Sequence, residues 1–279
     1  MDAEVGIVGA GAAGGILALE LARRGIRVVL LESGPRHEFA RRGEYVRRYL
    51  RHEDPWQTSP RELDRYTVSG PVPYQLAEKR ARGVGGSTLH WEGYALRLGE
   101  EDFRLRSLYG IADDWPISYA DLEPYYALAE SALGVAGDAS ESMAPRSSPF
   151  PLPPFPFSHS DGRFARVCET LGIVLQHLPQ ARNSQAYGGR SPCRACATCA
   201  VCPTGAKASV DLTHVPEAEA TGNARVLTEA TVFRLVDGMS TISDLQKLTG
   251  MPEFDTFKIV YHLMIAGFIE YSSGDNPDE

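Results

Sequence analysis

Apolar positions fall into strand-like and helix-like runs from the start of the chain. Residues 5–8, VGIV, form a short apolar run of the kind that a buried parallel strand presents. Ile16, Leu17, Leu19, Leu21 and Ala22 then recur with helical spacing, and Gly25 ends that helix behind Arg23 and Arg24, cations suited to a last turn. Residues 27–31 read as a second strand, with Glu32 at its end. Further along, Ser118 is an N-cap candidate for a helix whose inward positions are Tyr125, Leu128, Ala129 and Leu133. Residues 162–172 read as a helix with Phe164, Val167, Cys168 and Leu171 facing inward. A helix-like stretch covers 210–220, and residues 224–235 alternate like a strand.

Between the first strand and the first helix stand Gly9, Gly11 and Gly14, in G-x-G-x-x-G spacing. The first glycine permits the tight turn, the second lets a pyrophosphate approach the backbone, and the third lets helix and strand pack closely. The helix N-terminus offers N–H groups and a positive dipole end to phosphates. Glu32 is placed to accept from a ribose diol and to repel a 2′-phosphate. Strand, helix, second strand and terminal acid all fall in the order that dinucleotide binding requires.

Composition narrows the class. The 279 residues suffice for one large domain or two smaller ones, and the apolar fraction is ordinary for a globular protein. A net charge of −8 gives no general reason to expect a nucleic-acid partner. No apolar run is long enough for a transmembrane helix. The acidic start MDAEVGIVGAG does not read as a signal peptide, which predicts a cytoplasmic protein.

Two further stretches carry chemistry. In residues 82–93, RGVGGSTLHWEG, the glycines Gly83, Gly85 and Gly86 precede Ser87 and Thr88, a close-approach loop with hydroxyl donors that reads equally well as a plain glycine-rich turn. His90 and Trp91 follow it. Residues 191–209 hold Cys193, Cys196, Cys199 and Cys202 at even spacing, with Pro203 after the last. This is one residue short of the bacterial ferredoxin run, and such thiols serve an iron–sulfur cluster, a zinc site or a metal-free turn. The fifth cysteine, Cys168, reads as a small buried hydrophobe. Residues 36–51, rich in Arg, read as a solvated helix over the sheet, with an anion site as the alternative.

Four segments together resemble the glucose–methanol–choline (GMC) family of flavoprotein oxidoreductases, and its gluconate and glucose dehydrogenase branch in particular. They are GAGAAGG…LLESG, GVGGSTLHWEG, DWPISYADLEPYYALAE and CATCAVCPTGAKAS…GNARVLTEATVFRL, in the family's order over residues 1–235. The resemblance implies an α/β fold, a FAD-binding Rossmann-like domain forming part of the GMC fold. It implies FAD rather than NAD, and oxidation of an alcohol or sugar hydroxyl by hydride transfer to flavin. Gly9, Gly11, Gly14 and Glu32 would hold the ADP half, and Gly85, Gly86, Ser87 and Thr88 would run beside the pyrophosphate and isoalloxazine. Val232 would meet the adenine through its backbone, and His90 falls where some members tether FAD covalently. A 3Fe–4S cluster held by three of the four cysteines is implied as well, relaying electrons to an acceptor.

The family's catalytic His, with its His or Asn partner, lies near the C-terminus in a region with no counterpart here, so no catalytic base is assigned. The alcohol or sugar site and the electron acceptor would then involve a complementary protein chain. After Leu235 the pattern changes. Residues 236–279 read as helix, turn, helix and strand, a small mostly helical winged-helix-like unit. From Ser240 onward there are two Lys, no Arg and seven acids, which suits protein contact and not a DNA backbone. The alternative reading is a catalytically incomplete FAD- or cluster-binding protein with an acidic interaction module.

Overall fold

The computed structural model describes residues 3–56, 80–142, 144–173 and 175–228. Val232 and the unit expected over 236–279 lie outside the described residues. The chain builds its sheet from β1 (Val5–Val8), α1 (Ala12–Arg23) and β2 (Val28–Leu31), with β2 parallel to β1. A long excursion follows before α6 (His214–Ala220) and β3 (Ala224–Leu227) return to the same sheet. Strand order is β1-β2-β3, all parallel, with Val28 opposite Val5 on one side and Ala224 on the other. Expectation and structure agree on this α/β unit. Its core combines Ile7, Val28 and Leu30 of the sheet with Ala18, Leu19 and Ala22 of α1 and Val215 and Ala218 of α6. Small residues let the two helices approach. A Cβ added at Gly15 would stand 3.1 Å from the Val215 side chain. Leu17, read as an apolar-face position, is exposed, and Ala18 takes the inward place instead.

The excursion carries α2 (Arg42–Leu50), α3 (Leu105–Tyr109), α4 (Tyr119–Leu133) and α5 (His159–Thr170). Ser118 caps α4 as its position predicts, accepting from the Asp121 N–H while the Asp121 carboxylate accepts from the Ser118 backbone. Of the expected inward positions of α4, Leu133 packs on the Val135–Phe150 cluster, but most of the inward face is not apolar. Tyr119, Glu123, Tyr126 and Glu130 turn toward Arg97 and Arg146, and both carboxylates of that set pair with guanidinium groups at 2.5–2.9 Å. Tyr125 and Leu128 are each 66% exposed. In α5, Cys168 is buried as expected, but Phe164, Val167 and Leu171 face outward. Helical spacing identifies an apolar stripe without specifying what covers it. In α4 the ion-paired face won the interior because buried charges hold only where partners meet them.

Candidate functional site

The two glycine-rich loops meet at the N-terminal end of α1. The Gly85 N–H donates to the Ala10 carbonyl at 2.8 Å, and a Cβ added at Gly86 would come 3.0 Å from the Gly11 Cα. Gly9 has φ +88, the left-handed value that the tight turn needs. A Cβ at Gly14 would lie 2.0 Å from the Gly9 carbonyl oxygen, so the third glycine is fixed by strand–helix contact. By contrast, a Cβ at Gly11 meets nothing nearer than the Gly86 Cα at 3.9 Å, an ordinary contact that leaves it room. No side chain caps the first turn of α1 and no acid sits in it. That leaves its amides and dipole to an anion.

Glu32 ties the loops together. Its buried carboxylate accepts the N–H groups of Ala10 at 3.0 Å, Gly34 at 2.8 Å and Gly83 at 3.3 Å. Thr88 is also structural here. Its hydroxyl donates to the Gly85 carbonyl at 2.5 Å and accepts the Val210 N–H at 3.2 Å. Of the expected hydroxyl donors, Ser87 is the exposed one. His90 closes the 3₁₀ turn Gly86–Leu89, half-buried, with its N–H on the Ser87 carbonyl at 3.3 Å.

Three residues not singled out from the sequence support this loop. Lys207, fully buried, donates from Nζ to the carbonyls of Thr88, Leu89 and Trp91 at 3.1, 2.9 and 2.7 Å. Burial pulls its pKa down to about 8. The three carbonyl acceptors favour the charged form. Arg42 pairs with Asp211 at 2.6 Å, both side chains 3% exposed, and its guanidinium lies 4.7 Å from the Trp56 ring. Within the Arg-rich 36–51 stretch, read as a solvated helix, Arg42 is buried together with His37 and Tyr45. Asp211 also accepts from Ser209, whose hydroxyl meets Thr88 at 3.3 Å. The signal was present in GAKASVDL, where a Lys and an Asp stand among small residues of interior type.

A protein family described as FAD binding domain matches residues 2–48. The chain is 30% identical, over 293 aligned residues, to the fructose dehydrogenase large subunit of Gluconobacter japonicus, covering 98% of this chain and 53% of that one. It is 28% identical to the gluconate 2-dehydrogenase flavoprotein of Pantoea cypripedii, over 89% of this chain and 47% of that one. Together these matches support a likeness to GMC-like FAD oxidoreductases over part of their length. It spans about half the length of the curated relatives it matches. The fructose dehydrogenase alignment runs past residue 235, since it covers 98% of this chain. Among solved structures, pyridoxine 4-oxidase from Mesorbium loti is similar at TM-score 0.45 and 18% identity, over 82% of this chain and 42% of that one.

The cradle in this GMC-like chain fits FAD at the pyrophosphate, where glycines leave room and α1 presents its amides. The cysteines are a different matter. All four are free, with Cys196 exposed, Cys193 and Cys199 half-buried and Cys202 buried. Arg182 points one N–H at the Cys199 sulfur, 3.2 Å away, and stands 4.0 Å from that of Cys193. The Cys202 sulfur accepts the Lys207 backbone N–H at 3.3 Å. Burial pushes the Cys199 thiol up, with Arg182 only partly offsetting it. Burial opposes the Cys196 thiolate, but the Thr198 hydroxyl 3.0 Å from the sulfur, the backbone N–H groups of Thr198 and Cys196, and Arg182 together hold that thiol below its ordinary value. Among the described residues, no three of the four sulfurs lie within 4.8 Å of one another. Tetrahedral zinc at about 2.3 Å from each sulfur needs them roughly 3.8 Å apart. A multinuclear cluster, with irons and bridging sulfides between its ligands, accepts a wider spread. Among the described residues, no helix is long and apolar enough to cross a membrane.

Proposed function

We propose that this chain supplies the flavin-binding half of an oxidoreductase acting on an alcohol or sugar hydroxyl. The observation that carries it is the close meeting of Gly9–Gly14 and Gly83–Thr88 at the α1 N-terminus. When bound there, FAD supplies the hydride-accepting chemistry. Gly9, Gly11 and Gly14 with the first turn of α1 receive the pyrophosphate, while Gly85, Gly86 and Ser87 line the path toward the flavin ring. Among the described residues the Glu32 Oε2 accepts only the Ala10 N–H, so this oxygen keeps capacity for a ribose hydroxyl. His90 stands at the end of the flavin-side turn as the candidate tether, and Val232 is assigned to the adenine. Thr88 acts through the loop, shaping it from within. The curated relatives' names, fructose and gluconate dehydrogenases, support a sugar or alcohol substrate. Residues 236–279 are assigned to contact with protein, an electron acceptor or a complementary chain.

The cysteine run is assigned to a 3Fe–4S cluster on three of its four thiols, which offers one-electron transfer to an external acceptor. Thiolates of this kind require a reducing compartment, which agrees with a cytoplasmic site of synthesis.

Gly11→Val tests the flavin reading directly. Its side chain enters the pyrophosphate path without touching the core, so the fold should persist while the yellow chromophore is lost. Flavin occupancy unchanged from the parent sinks the assignment. Substrate-dependent bleaching across alcohols and sugars separates a catalytic chain from one that holds flavin without turnover. Acid precipitation tests the His90 tether, since flavin stays on the polypeptide only if a covalent bond exists.

A further inference from the structure

Away from the glycine loops, three ligand-type side chains converge on one point of the excursion. The geometry points to a divalent transition-metal site formed by Asp138, Glu141 and His177. Asp138 and Glu141 are three residues apart across the 3₁₀ turn Ala139–Glu141, a spacing that sets side chains nearly one above the other. His177 arrives on a separate segment. The Ala136 N–H donates to the Gln180 carbonyl at 2.8 Å and the Gln180 N–H returns to Ala136 at 2.9 Å, which fixes the two segments side by side. The His177 Nδ1 then stands 2.9 and 3.1 Å from the two Glu141 carboxylate oxygens. One ligand atom from each of the three residues lies within 4.8 Å of the others, all half-buried.

The imidazole is held in place for this role. It lies flat on Phe157 at 3.9 Å and 10°, and the His177 backbone N–H donates to Glu141 at 2.6 Å. A cation about 2.0–2.2 Å from nitrogen and oxygen ligands spaces neighbouring ligands roughly 2.9–3.6 Å apart. The Nδ1–Glu141 separations already fall in that range. Asp138 caps the turn through one oxygen, Oδ1, on the Ser140 N–H and hydroxyl, and its other oxygen closes on the ion by a small side-chain adjustment. An ion would displace the proton now shared between Nδ1 and Glu141.

One imidazole and two carboxylates, with no thiolate, suit zinc, cobalt or manganese and not a soft ion. The imidazole nitrogen disfavours calcium, which takes oxygen ligands. Water completes the sphere. The ion would clamp the 136–141 turn to the segment that continues into Arg182, five residues after His177, and thus to the arginine that faces Cys199. The site stands independently of the flavin reading, and its test needs no flavin.

Titration of the full chain with Co2+ is the experiment, because cobalt reports its ligands. Nitrogen and oxygen ligation gives weak visible bands, whereas capture by the cysteine run gives intense sulfur-to-cobalt absorption. The expected result is one Co2+ per chain with only the weak bands, and a rise in Tm on binding. Glu141→Gln and His177→Gln should each weaken binding at least tenfold and abolish the rise in Tm. Asp138→Asn retains a capping acceptor, so a folded variant with weakened binding remains even if the other two unfold. Cobalt bound solely with sulfur bands, affinity unchanged in the folded variants, or no cobalt bound at all overturns the proposal.

Discussion

The glycine loops and the cysteine loop sit against each other, yet one shows its purpose in spacing alone and the other does not. In the first, each role belongs to the backbone: a left-handed φ at Gly9, a contact at Gly14, an open face at Gly11. Glycine spacing dictates backbone geometry, so the motif and the structure coincide. In the second, regular spacing suggests four equivalent ligands, but the sulfurs differ in burial and in partner. Arg182 takes two of them, Thr198 a third, and the Lys207 backbone the fourth. Function carried by side chains depends on residues brought from elsewhere in the chain, and local spacing does not name them.

If that contrast holds, the severest substitution is one that violates the backbone fit. Gly14→Ala places a Cβ 2.0 Å from the Gly9 oxygen, within the turn itself. It should cost more than about 4 kcal/mol, the range reserved for a named mechanism such as a core clash. Urea unfolding measures it, and a loss under about 1 kcal/mol would show that the strand–helix contact yields readily.

Next comes the ion pair behind the loops. Arg42→Met leaves the Asp211 carboxylate buried without its guanidinium and should cost about 3–5 kcal/mol. Adding Asp211→Leu removes the stranded charge and should recover much of that loss. A double variant no better than the single would mean that Arg42 contributes through its stacking on Trp56 instead.

Lys207→Met should cost about 2–3 kcal/mol, since three buried carbonyls lose a charged donor. Its pH dependence has a defined sign. With a folded pKa of about 8 against an ordinary 10.5, the unfolded chain binds the extra proton between those values. The parent's stability therefore gains on that of Lys207→Met as pH rises from 8 to 10.5, and the gain fades as pH falls through 8. Unfolding midpoints of both proteins across that interval decide it. Parallel curves would mean that the carbonyl acceptors keep the amine charged throughout.

The sequence disclosed the β1–α1–β2 unit, the Ser118 cap and the glycines of both loops because propensity, capping and steric need act locally. It did not disclose the roles of Lys207, Arg42 and Asp211, since the loop carbonyls that Lys207 meets and the Arg42–Asp211 pair span 116 or more residues. It also misplaced the inner face of α4. Apolar periodicity favoured Tyr125 and Leu128, but the partners fixed in space were Arg97 and Arg146, so Glu123 and Glu130 went inside. Glu32 stood out as the acid that ends β2, while its grip on Ala10, Gly34 and Gly83 required the second loop to be in place.

The smallest expected stability effect lies in the cysteine loop and gives the finest reading of its inequality. Cys196 is exposed and touches only Thr198 through its sulfur, so Cys196→Ser should change stability by no more than about 0.5 kcal/mol. Reactivity should nevertheless single it out. The thiolate is the nucleophile, and Cys196 combines access with a thiol held below its ordinary pKa. Cys199 has its thiol pushed up by burial, and Cys202 is shielded. Brief treatment of metal-free protein with iodoacetamide near neutral pH should therefore label Cys196 first, and peptide mass analysis locates the label. Equal labelling of all four would place the sulfurs in one common environment and erase the contrast with the glycine loops. Protection of three cysteines together after anaerobic loading with iron and sulfide, with one still labelled, would instead identify the three ligands of the proposed cluster and the thiol left outside it.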